Sequence, residues 1–381
     1  MNILILRSNP VAPDPRVEKI ARALHQQGWR VDVLGWDRSG ELPLTAQTDF
    51  GVVRRLPIRA RFGSGLGNLP QLLRWQLGLF FWLLRQGRRY DAIHACDFDT
   101  ILPALLLAKS WKTALIYDIF DFYAEHLRRT PAWIKSLIRR VDLWAIGKVD
   151  AVILVDENRK QQIAASNPRM LEVIYNAPED CQPLSAETVN NEGTDNPAGL
   201  RIAYIGLLQK ERGIFELLDV LQSHPRWRLD LAGFGGDEEQ IRERIAGMAN
   251  VRWHGRIPYE SALRISAAAD ALIATYDPAI PNHRFSSPNK IFEAMMLARP
   301  IIVAEHTNID AIVRRYNNGI VVPYGDRNAL QEALLQLEQN PALRRKMGEN
   351  GRSAYESEYG WHIMRGRLIR LYQKVVVDHS S

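Results

Sequence analysis

A chain of 381 residues has room for two domains, and its 46% hydrophobic and 24% charged content excludes a disordered protein. Its two cysteines, Cys96 and Cys181, are too few for a disulfide framework or a cysteine metal site, which fits a reducing compartment. The net charge of +6 is uneven, because residues 1–150 hold 22 Lys and Arg against 14 Asp and Glu, whereas the remainder holds 27 against 29. This asymmetry predicts an anionic partner for the first half: a phospholipid, a polyphosphate substrate or nucleic acid.

Short apolar runs alternate with helical patterns along the chain. "MNILILRSNP" reads as a first strand that runs into a loop, not as a signal peptide, and no uncharged apolar run is long enough to span a bilayer. The predicted strands form two series, 2–7, 30–36, 91–95, 114–119 and 151–156, then 201–206, 227–233, 251–255, 271–276, 300–305 and 319–323. Continuous aliphatic strands separated by helices are parallel and buried on both faces. The pattern therefore predicts an α/β protein with two doubly wound, Rossmann-like domains.

A polar segment rich in Pro and Gly, residues 176–200, reads as the connection between the two series. We place an N-terminal domain at 1–180, a linker at 181–200 and a C-terminal domain at 201–360, followed by a helix at about 361–376. Ligands of open α/β sheets bind beyond the carboxyl ends of the strands. The two domains are therefore expected to face each other across a cleft, with one substrate on each side.

Two loops that follow strands of the second series carry cations. "IGLLQKERGIFELLDVL" places Lys210 and Arg212 before a helix, and "SSPNKIFEAMMLARPIIVAE" places Lys290 and Glu293 in the first turn of another, with Ser287 as its expected cap. A solvated loop and a capped surface helix with a local ion pair are the alternatives. If the loops converge, Arg212 and Lys290 hold one diphosphate and Glu293 holds a ribose diol, which describes a nucleotide-sugar site.

Motifs along nearly the whole chain resemble those of the retaining family 4 glycosyltransferases, which have the GT-B fold. In the first half these are "PDPRVEKIARALHQQGWRVDVLGWDR", "YDAIHACDFDTILPALLLAK", "VDAVILVDENRKQQI" and "VIYNAPED". In the second half they are "YIGLLQKERGIFELL", "LAGFGG", "WHGRIP" and "SPNKIFEAMMLARPIIV". Each motif alone is modest, whereas their shared order along the chain is specific.

The resemblance implies that the C-terminal domain binds the donor, with Arg212 and Lys290 on the diphosphate, Glu293 on the ribose and the turn from Gly255 to Ile257 at the base. It also implies that the C-terminal helix crosses back onto the N-terminal domain and that the cleft closes by hinge motion. The predicted donor-binding residues are Gly206, Lys210, Arg212, Gly255, Arg256, Ile257, Tyr276, Ser287, Asn289, Lys290 and Glu293. The predicted acceptor-side residues are Pro13, Asp14, Arg16, Asp97 and Asp118.

Three positions depart from the family pattern. The usual His of the loop after the fourth strand is Phe120, the first Glu of a paired-Glu motif is Phe285, and a second Arg of the diphosphate site is Leu207. The same loop region is rich in carboxylates. We expect Asp99 and Asp121 to stabilise an oxocarbenium-like state or to orient the acceptor hydroxyl. Helix capping is the alternative role for any single Asp there.

Two segments of the basic half, 69–91 and 130–148, combine aromatic and basic residues on helical patterns. Such helices are typical of binding at an anionic membrane surface, and a core helix packed on the sheet is the alternative for the first. The predicted membrane-facing residues are Trp75, Trp82, Arg85, Arg88, Arg89, Trp133, Arg139 and Arg140.

These features predict a glycosyltransferase that moves a sugar from a nucleotide-diphosphate sugar to a lipid-linked or polysaccharide glycan, with retention implied by the resemblance. We expect a cytoplasmic protein, peripheral at the inner face of the cell membrane. No metal or other cofactor is expected, since cations and helix N-termini would neutralise the leaving group. The alternatives are a sugar-nucleotide-binding subunit without turnover and a GT-B nucleotide-sugar epimerase. Nucleic acid is disfavoured because the chain has no Lys/Arg run and no recognition motif.

Overall fold

The computed structural model describes residues 1–60, 68–127, 130–181, 199–285 and 287–380. It divides the chain into two compact units, the first formed by Met1–Tyr175 with Met364–Ser381 and the second by Asn176–Ile363. Each unit has its own predominantly parallel sheet with helices between the strands. The predicted fold class of two doubly wound α/β domains is confirmed.

The first unit is built on an eight-stranded sheet in the order β3-β4-β2-β1-β5-β6-β7-β8, in which only the pair β3 and β4 is antiparallel. Its strands are β1 (Asn2–Arg7), β2 (Arg30–Asp37), β3 (Thr45–Thr48), β4 (Gly51–Pro57), β5 (Ala92–Cys96), β6 (Ala114–Ile119), β7 (Ala151–Leu154) and β8 (Leu171–Val173). The central strands are aliphatic and fully buried because helices cover both faces. In register, Ile5 of β1 lies opposite Val33 of β2 and His94 of β5.

Helices lie between the strands of the first unit. They are α1 (Pro15–His25), α2 (Leu69–Gln86), α3 (Phe98–Trp111), α4 (Tyr123–His126) and α5 (Ala132–Ile146). Asp14 caps α1, since its carboxylate accepts the Val17 amide at 3.1 Å, and Pro15 fits the first helical position.

The second unit has a six-stranded, fully parallel sheet in the order β11-β10-β9-β12-β13-β14. Its strands are β9 (Arg201–Leu207), β10 (Arg228–Phe234), β11 (Val251–Gly255), β12 (Ala271–Ala274), β13 (Ile301–Ala304) and β14 (Gly319–Val322). Its helices are α6 (Ile214–Ser223), α7 (Glu238–Ile245), α8 (Tyr259–Ala268), α9 (Pro281–Arg284), α10 (Asn289–Met296), α11 (Ile309–Tyr316), α12 (Arg327–Gln339) and α13 (Pro341–Ala354).

Strand order reverses once in each sheet, between β1 and β5 in the first unit and between β9 and β12 in the second. At such a reversal the helices on either side leave in opposite directions and open a crevice at the carboxyl ends of the strands. Arg7 ends β1 and Asp97 follows β5, whereas Gly206 lies near the end of β9. The two crevices are therefore where ligand-binding side chains are expected.

The last helix, α14 (Trp361–Ser380), belongs to the first unit from Met364 onward. Its Tyr372 hydroxyl lies 2.7 Å from Nδ1 of the buried His94 in β5, and Met364, Leu368, Tyr372 and Val375 are fully buried. The boundary between the two compact units lies after Tyr175, and Asp180 belongs to the second unit, in which it pairs with Arg352 of α13 at 2.7 Å. Residues 182–198 of the predicted linker lie outside the described part of the chain.

Candidate functional site

Two cations meet at the strand-order reversal of the second unit. Lys290 Nζ of α10 lies 3.5 Å from the ring centre of Tyr204 and 5.8 Å from that of Tyr276, and the Arg212 guanidinium lies 4.4 Å from the same Tyr276 ring. Within the described ranges neither cation forms an ion pair with a carboxylate. Two like charges held together by aromatic faces and without a counter-ion make a site for an anion.

The backbone is shaped to let Lys290 in. A Cβ atom at Gly206 would lie 2.9 Å from Lys290 Cε, and the φ of +153° disfavours other residues, so glycine best accommodates the lysine beside β9. Burial lowers the pKa of Lys290 well below its usual value, and the nearby Arg212 lowers it further. An anion bound here would offset both effects and favour the charged form.

Glu293 lies one turn further along α10, beside Tyr259 of α8. The Tyr259 hydroxyl donates to Glu293 Oε1 at 3.0 Å, and burial together with Glu293 raises the pKa of Tyr259. This contact holds the carboxylate at the same edge of the sheet as Lys290. Sequence reasoning missed Tyr259, because its only signal is a position at the start of a helix far along the chain.

The start of α10 differs from the expectation. Its N-cap is Pro288 and no side chain caps it, whereas the buried Ser287 Oγ has no hydrogen-bond partner among the described residues. Asn289 Oδ1 instead accepts from Asn176 Nδ2 at 2.5 Å. No ion pair joins Lys290 and Glu293 in the described part, so a surface helix with a local ion pair is not what these residues form. The first helical amides remain available to an anion.

The remaining donor-side candidates lie at the carboxyl ends of β9, β10 and β11. Gly255 has a φ of +64°, which glycine adopts easily, and the exposed Arg256 lies 4.7 Å over the ring of Phe234. Ile257 is half-buried, and Lys210 is exposed, with its backbone amide donating to Asp237 at 2.7 Å. Phe234 was not predicted from the sequence, although its exposed ring lies beside this turn.

In the first unit, Arg7 organises the crevice between β1 and β5. Its Nε lies 2.8 Å from Asp14 Oδ2, its Nη1 pairs with Asp97, and its guanidinium lies 4.1 Å over the ring of Phe120. Asp97 also accepts the Phe120 amide at 2.8 Å. Burial raises the pKa of Asp97 even though Arg7 opposes the shift.

Two acceptor-side candidates are core residues. Arg16 Nη2 lies 2.9 Å from Asp118 Oδ1, and His94 Nε2 lies 3.2 Å from Asp118 Oδ2, all with side chains almost wholly removed from solvent. Arg16 and His94 hold the pKa of Asp118 below its usual value despite its burial. The expectation that Arg16 and Asp118 contact an acceptor is therefore wrong, since this network joins α1 to the sheet. Asp14 is likewise occupied as a cap, whereas Pro13 is exposed.

The two carboxylates predicted to be catalytic, Asp99 and Asp121, share a cavity of about 620 Å³ within the first unit. Asp99 is in the first turn of α3, and burial raises its pKa to about 6. Asp121 accepts from Arg159 Nη2 at 2.5 Å and its side chain is 43% exposed. Asp97, Arg7 and Phe120 line the same cavity, so the structure brings together Asp97, Asp99 and Asp121.

Family models match both halves of the chain. The model described as glycosyl transferases group 1 matches residues 189–354, and the glycosyl transferase 4-like domain matches residues 12–177. The chain belongs to the family 4 glycosyltransferases. The predicted family is therefore confirmed, and the two matches fall on the two units.

Relatives of this glycosyltransferase with curated names cover different shares of it. A phosphatidyl-myo-inositol mannosyltransferase of Mycobacterium leprae is 27% identical over 48% of this chain and 49% of its own length, so the chain spans about half of that relative. An alpha-D-kanosaminyltransferase of Streptomyces kanamyceticus is 21% identical over 84% of this chain and 88% of its own.

Solved structures of the GT-B type share the fold. Sucrose-phosphate synthase from Thermosynechococcus elongatus has a TM-score of 0.79 at 18% identity and covers 99% of this chain and 100% of its own. HepE from Anabaena, in complex with UDP, has a TM-score of 0.72 at 15% identity and covers 98% and 100%.

Three residues of this glycosyltransferase depart from the family pattern, and the structure shows what surrounds each of them. Phe120 lies between Arg7 and Arg16, whose guanidinium carbons are 4.1 and 5.0 Å from its ring centre. Phe285 is half-buried at the end of α9, and Leu207 is 40% exposed at the end of β9. Among the described residues no group of three or more His, Cys, Asp or Glu is placed to hold a metal ion.

The predicted membrane-facing residues fall on opposite sides of their helices. Trp75 is fully buried, stacks on Trp36 at 5.2 Å and donates to the Asp99 carbonyl at 2.9 Å, so its predicted membrane contact is wrong. Trp82 is half-buried, and Trp133 is 70% exposed. Arg85, Arg88, Arg89, Arg139 and Arg140 are all exposed. No helix in the described ranges is both long and apolar enough to cross a bilayer.

Proposed function

We propose that the chain is a retaining glycosyltransferase that transfers a sugar from a nucleotide-diphosphate sugar to a hydroxyl of a lipid-linked or polysaccharide glycan. The observation that carries this proposal is the pair Arg212 and Lys290 on the shared Tyr276 ring, with Glu293 one turn away. The two cations suit a diphosphate, and a carboxylate suits a ribose diol. HepE, with the same fold, is known in complex with UDP and with UDP-glucose.

We further propose that transfer needs no metal ion. Arg212, Lys290 and the amides at the start of α10 supply the positive charge that a leaving diphosphate requires. The resemblance implies that in most members of the family the leaving diphosphate itself takes the acceptor proton, so the replacement of the usual His by Phe120 is compatible with turnover. We expect activity to persist in excess EDTA. A loss of activity in EDTA that Mg²⁺ restores would contradict the proposal.

The donor site is tested by calorimetric binding of UDP, GDP, ADP, CMP and dTDP. We expect one diphosphate to bind selectively and Arg212→Ala to weaken it about 10- to 100-fold, the range for lost hydrogen bonds to a charged group. Arg226→Ala, an exposed residue ahead of the amino end of β10, is the matched control and is expected to bind like the wild type. If Arg212→Ala and Arg226→Ala bound the diphosphate with equal affinity, the proposed donor site would be contradicted.

Turnover separates this proposal from its alternatives. Incubation with the matching nucleotide sugar is expected to release the nucleoside diphosphate and transfer the sugar. Donor binding without transfer or slow hydrolysis would instead identify a binding subunit, and a changed sugar without an acceptor would identify an epimerase.

Membrane attachment through α2 and α5 is part of the same proposal. Exposed apolar residues form one stripe on α2 and a second on α5, namely Leu69, Leu73, Leu77, Phe81 and Leu84, then Trp133, Leu137 and Trp144. No Asp or Glu occurs from residue 69 to 90, and the exposed charges around both stripes are basic. An apolar stripe flanked by cations fits an anionic bilayer surface, which would place the protein peripherally at the cytoplasmic face. The mannosyltransferase of M. leprae is named for a phospholipid acceptor.

A further inference from the structure

The cavity of the first unit, which holds Asp97, Asp99 and Asp121, has two different walls. Its polar end is formed by these carboxylates together with Arg7 and Arg38. Its other wall is apolar and comes from the first turns of α2 and α5, through Leu69, Leu72, Ile134 and Ile138. A pocket with one polar end and one apolar wall suits an amphiphile.

The apolar wall continues onto the two exposed stripes. Leu69 lines the cavity and is also 49% exposed as the first residue of the α2 stripe. Ile134 and Ile138 line the cavity directly beside Trp133 and Leu137, which are 70% and 54% exposed. An apolar chain inside the cavity would therefore reach a protein surface that is itself apolar.

The polar end favours an uncharged headgroup that carries hydroxyls. Both guanidiniums at this end are held by neighbours, since Arg7 pairs with Asp14 and Asp97, and Arg38 lies 4.2 Å over the Trp36 ring. Asp121 in turn pairs with Arg159, so the three carboxylates face three cations and leave no surplus of positive charge for a phosphate. Hydroxyl groups, by contrast, donate readily to carboxylate oxygens.

We propose that this cavity binds the acceptor as an amphiphile, with an uncharged polyhydroxyl headgroup at Asp97, Asp99 and Asp121 and an apolar chain along Leu69, Leu72, Ile134 and Ile138. The proposal rests on the proposed function and narrows its acceptor from a lipid-linked or polysaccharide glycan to one that carries an apolar chain. Burial raises the pKa of Asp99 to about 6, so this carboxyl can also donate a hydrogen bond to the headgroup below that pH.

The test uses the full chain and n-octyl β-D-glucoside below its micelle concentration, with saturation-transfer NMR to detect both ends of the probe. We expect saturation of sugar and alkyl protons alike, and much weaker signals from D-glucose and from n-octyl phosphate. Binding of glucose as strong as that of the glucoside would overturn the apolar part of the proposal. Tighter binding of octyl phosphate would overturn the uncharged headgroup.

Matched variants locate the probe. Ile138→Arg places a charge on the cavity wall and is expected to weaken glucoside binding at least about tenfold, whereas Leu137→Arg on the exposed face of the same helix is expected to leave it unchanged. Leu72→Ser and Leu73→Ser repeat the comparison on α2 with a milder change. Equal losses within each pair, or no binding to the wild type, would overturn the proposal.

Nucleoside diphosphate binding by the same samples separates the two proposals. We expect all four variants to bind the selected diphosphate as the wild type does, because its site lies in the second unit. Diphosphate binding without glucoside binding would overturn only the amphiphilic acceptor. If the wild type bound no nucleoside diphosphate selectively, the proposed function itself would be overturned.

Discussion

Lys290 keeps a positive charge in a place where water cannot reach it freely. The faces of Tyr204 and Tyr276 supply part of the stabilisation that water would give, and the Ile273 carbonyl accepts a hydrogen bond at 3.4 Å. Burial and the neighbouring Arg212 nonetheless lower its pKa well below the usual value. Burial therefore disfavours the charged form of Lys290 in the free protein, and a bound anion favours it.

Lys290 is expected to take up a proton when a nucleoside diphosphate binds. The sign follows from the pKa, which is low in the free protein and rises when the anion arrives, so protons move from buffer to protein. Calorimetric titrations in buffers of different ionisation enthalpy at fixed pH measure the number of protons directly. Lys290→Met should bind more weakly and lose the uptake, whereas Arg256→Met should keep it. Proton release by the wild type would contradict the prediction.

The charged residues of the candidate donor site and Tyr276 could be predicted from the sequence, but the other aromatic residues around them could not. Arg212 lies after β9, and Lys290 and Glu293 lie about one turn apart in α10, so their spacing is visible in the chain. Tyr259 contacts Glu293, and Phe234 contacts Arg256. The partners in each pair are far apart in sequence, so no local pattern encodes these contacts. Charged residues are recognisable in the loops that follow strands because few residues there are charged. A single aromatic residue is most often part of a core, so its presence in a sequence does not indicate a site.

Helix α2 shows why an aromatic residue in a helical pattern does not by itself indicate a surface. Trp75, Leu79 and Leu83 lie at intervals of four on the buried face, and Leu73, Leu77 and Phe81 lie at the same interval on the exposed face. Because both faces are apolar, periodicity alone could not separate them. The positions of the basic residues identify the exposed face of the helix, since a charged side chain is rarely buried without a partner.

Charge reversal on α2 tests the membrane surface. Arg85, Arg88 and Arg89→Glu is expected to weaken flotation with vesicles of phosphatidylserine and phosphatidylcholine by about 100-fold or more at low salt, at about 1 kcal/mol for each basic residue near an anionic surface. Arg242, Arg345 and Lys346→Glu, exposed residues of the second unit, make the same change in net charge and serve as the control. Equal losses would show that only net charge matters, and no loss would show that α2 does not face the bilayer.

Buried strands were predictable, whereas three strands at or near the edges of the first sheet were not. The central strands β1, β5, β6 and β7 are continuous aliphatic runs, and all lie where the sequence predicts them. Thr45–Thr48, Gly51–Pro57 and Leu171–Val173 were missed, because strands at or near an edge contact fewer neighbours and can contain polar residues.

At the scale of the whole molecule, the chain leaves the first unit at residue 176 and returns to it at residue 364. The core of the first unit is therefore completed by residues that follow the entire second unit in sequence. Met364, Leu368, Tyr372 and Val375 are each fully buried, and burial of one such side chain contributes about 1.5–3 kcal/mol. Their combined contribution of about 6–12 kcal/mol is comparable to the whole stability of a typical domain.

Truncation after Ile363 is therefore expected to unfold the first unit and leave the second folded. Seven of the ten tryptophans lie in residues 1–175, so tryptophan emission should shift to the red, while calorimetry should retain one unfolding transition. The truncated chain should still bind the selected nucleoside diphosphate, because Arg212, Lys290 and Glu293 belong to the second unit. Tyr372→Phe, which removes only the contact with His94, should keep both transitions and cost about 1 kcal/mol. A truncated chain with both transitions intact would show that α14 is not part of the first unit's core.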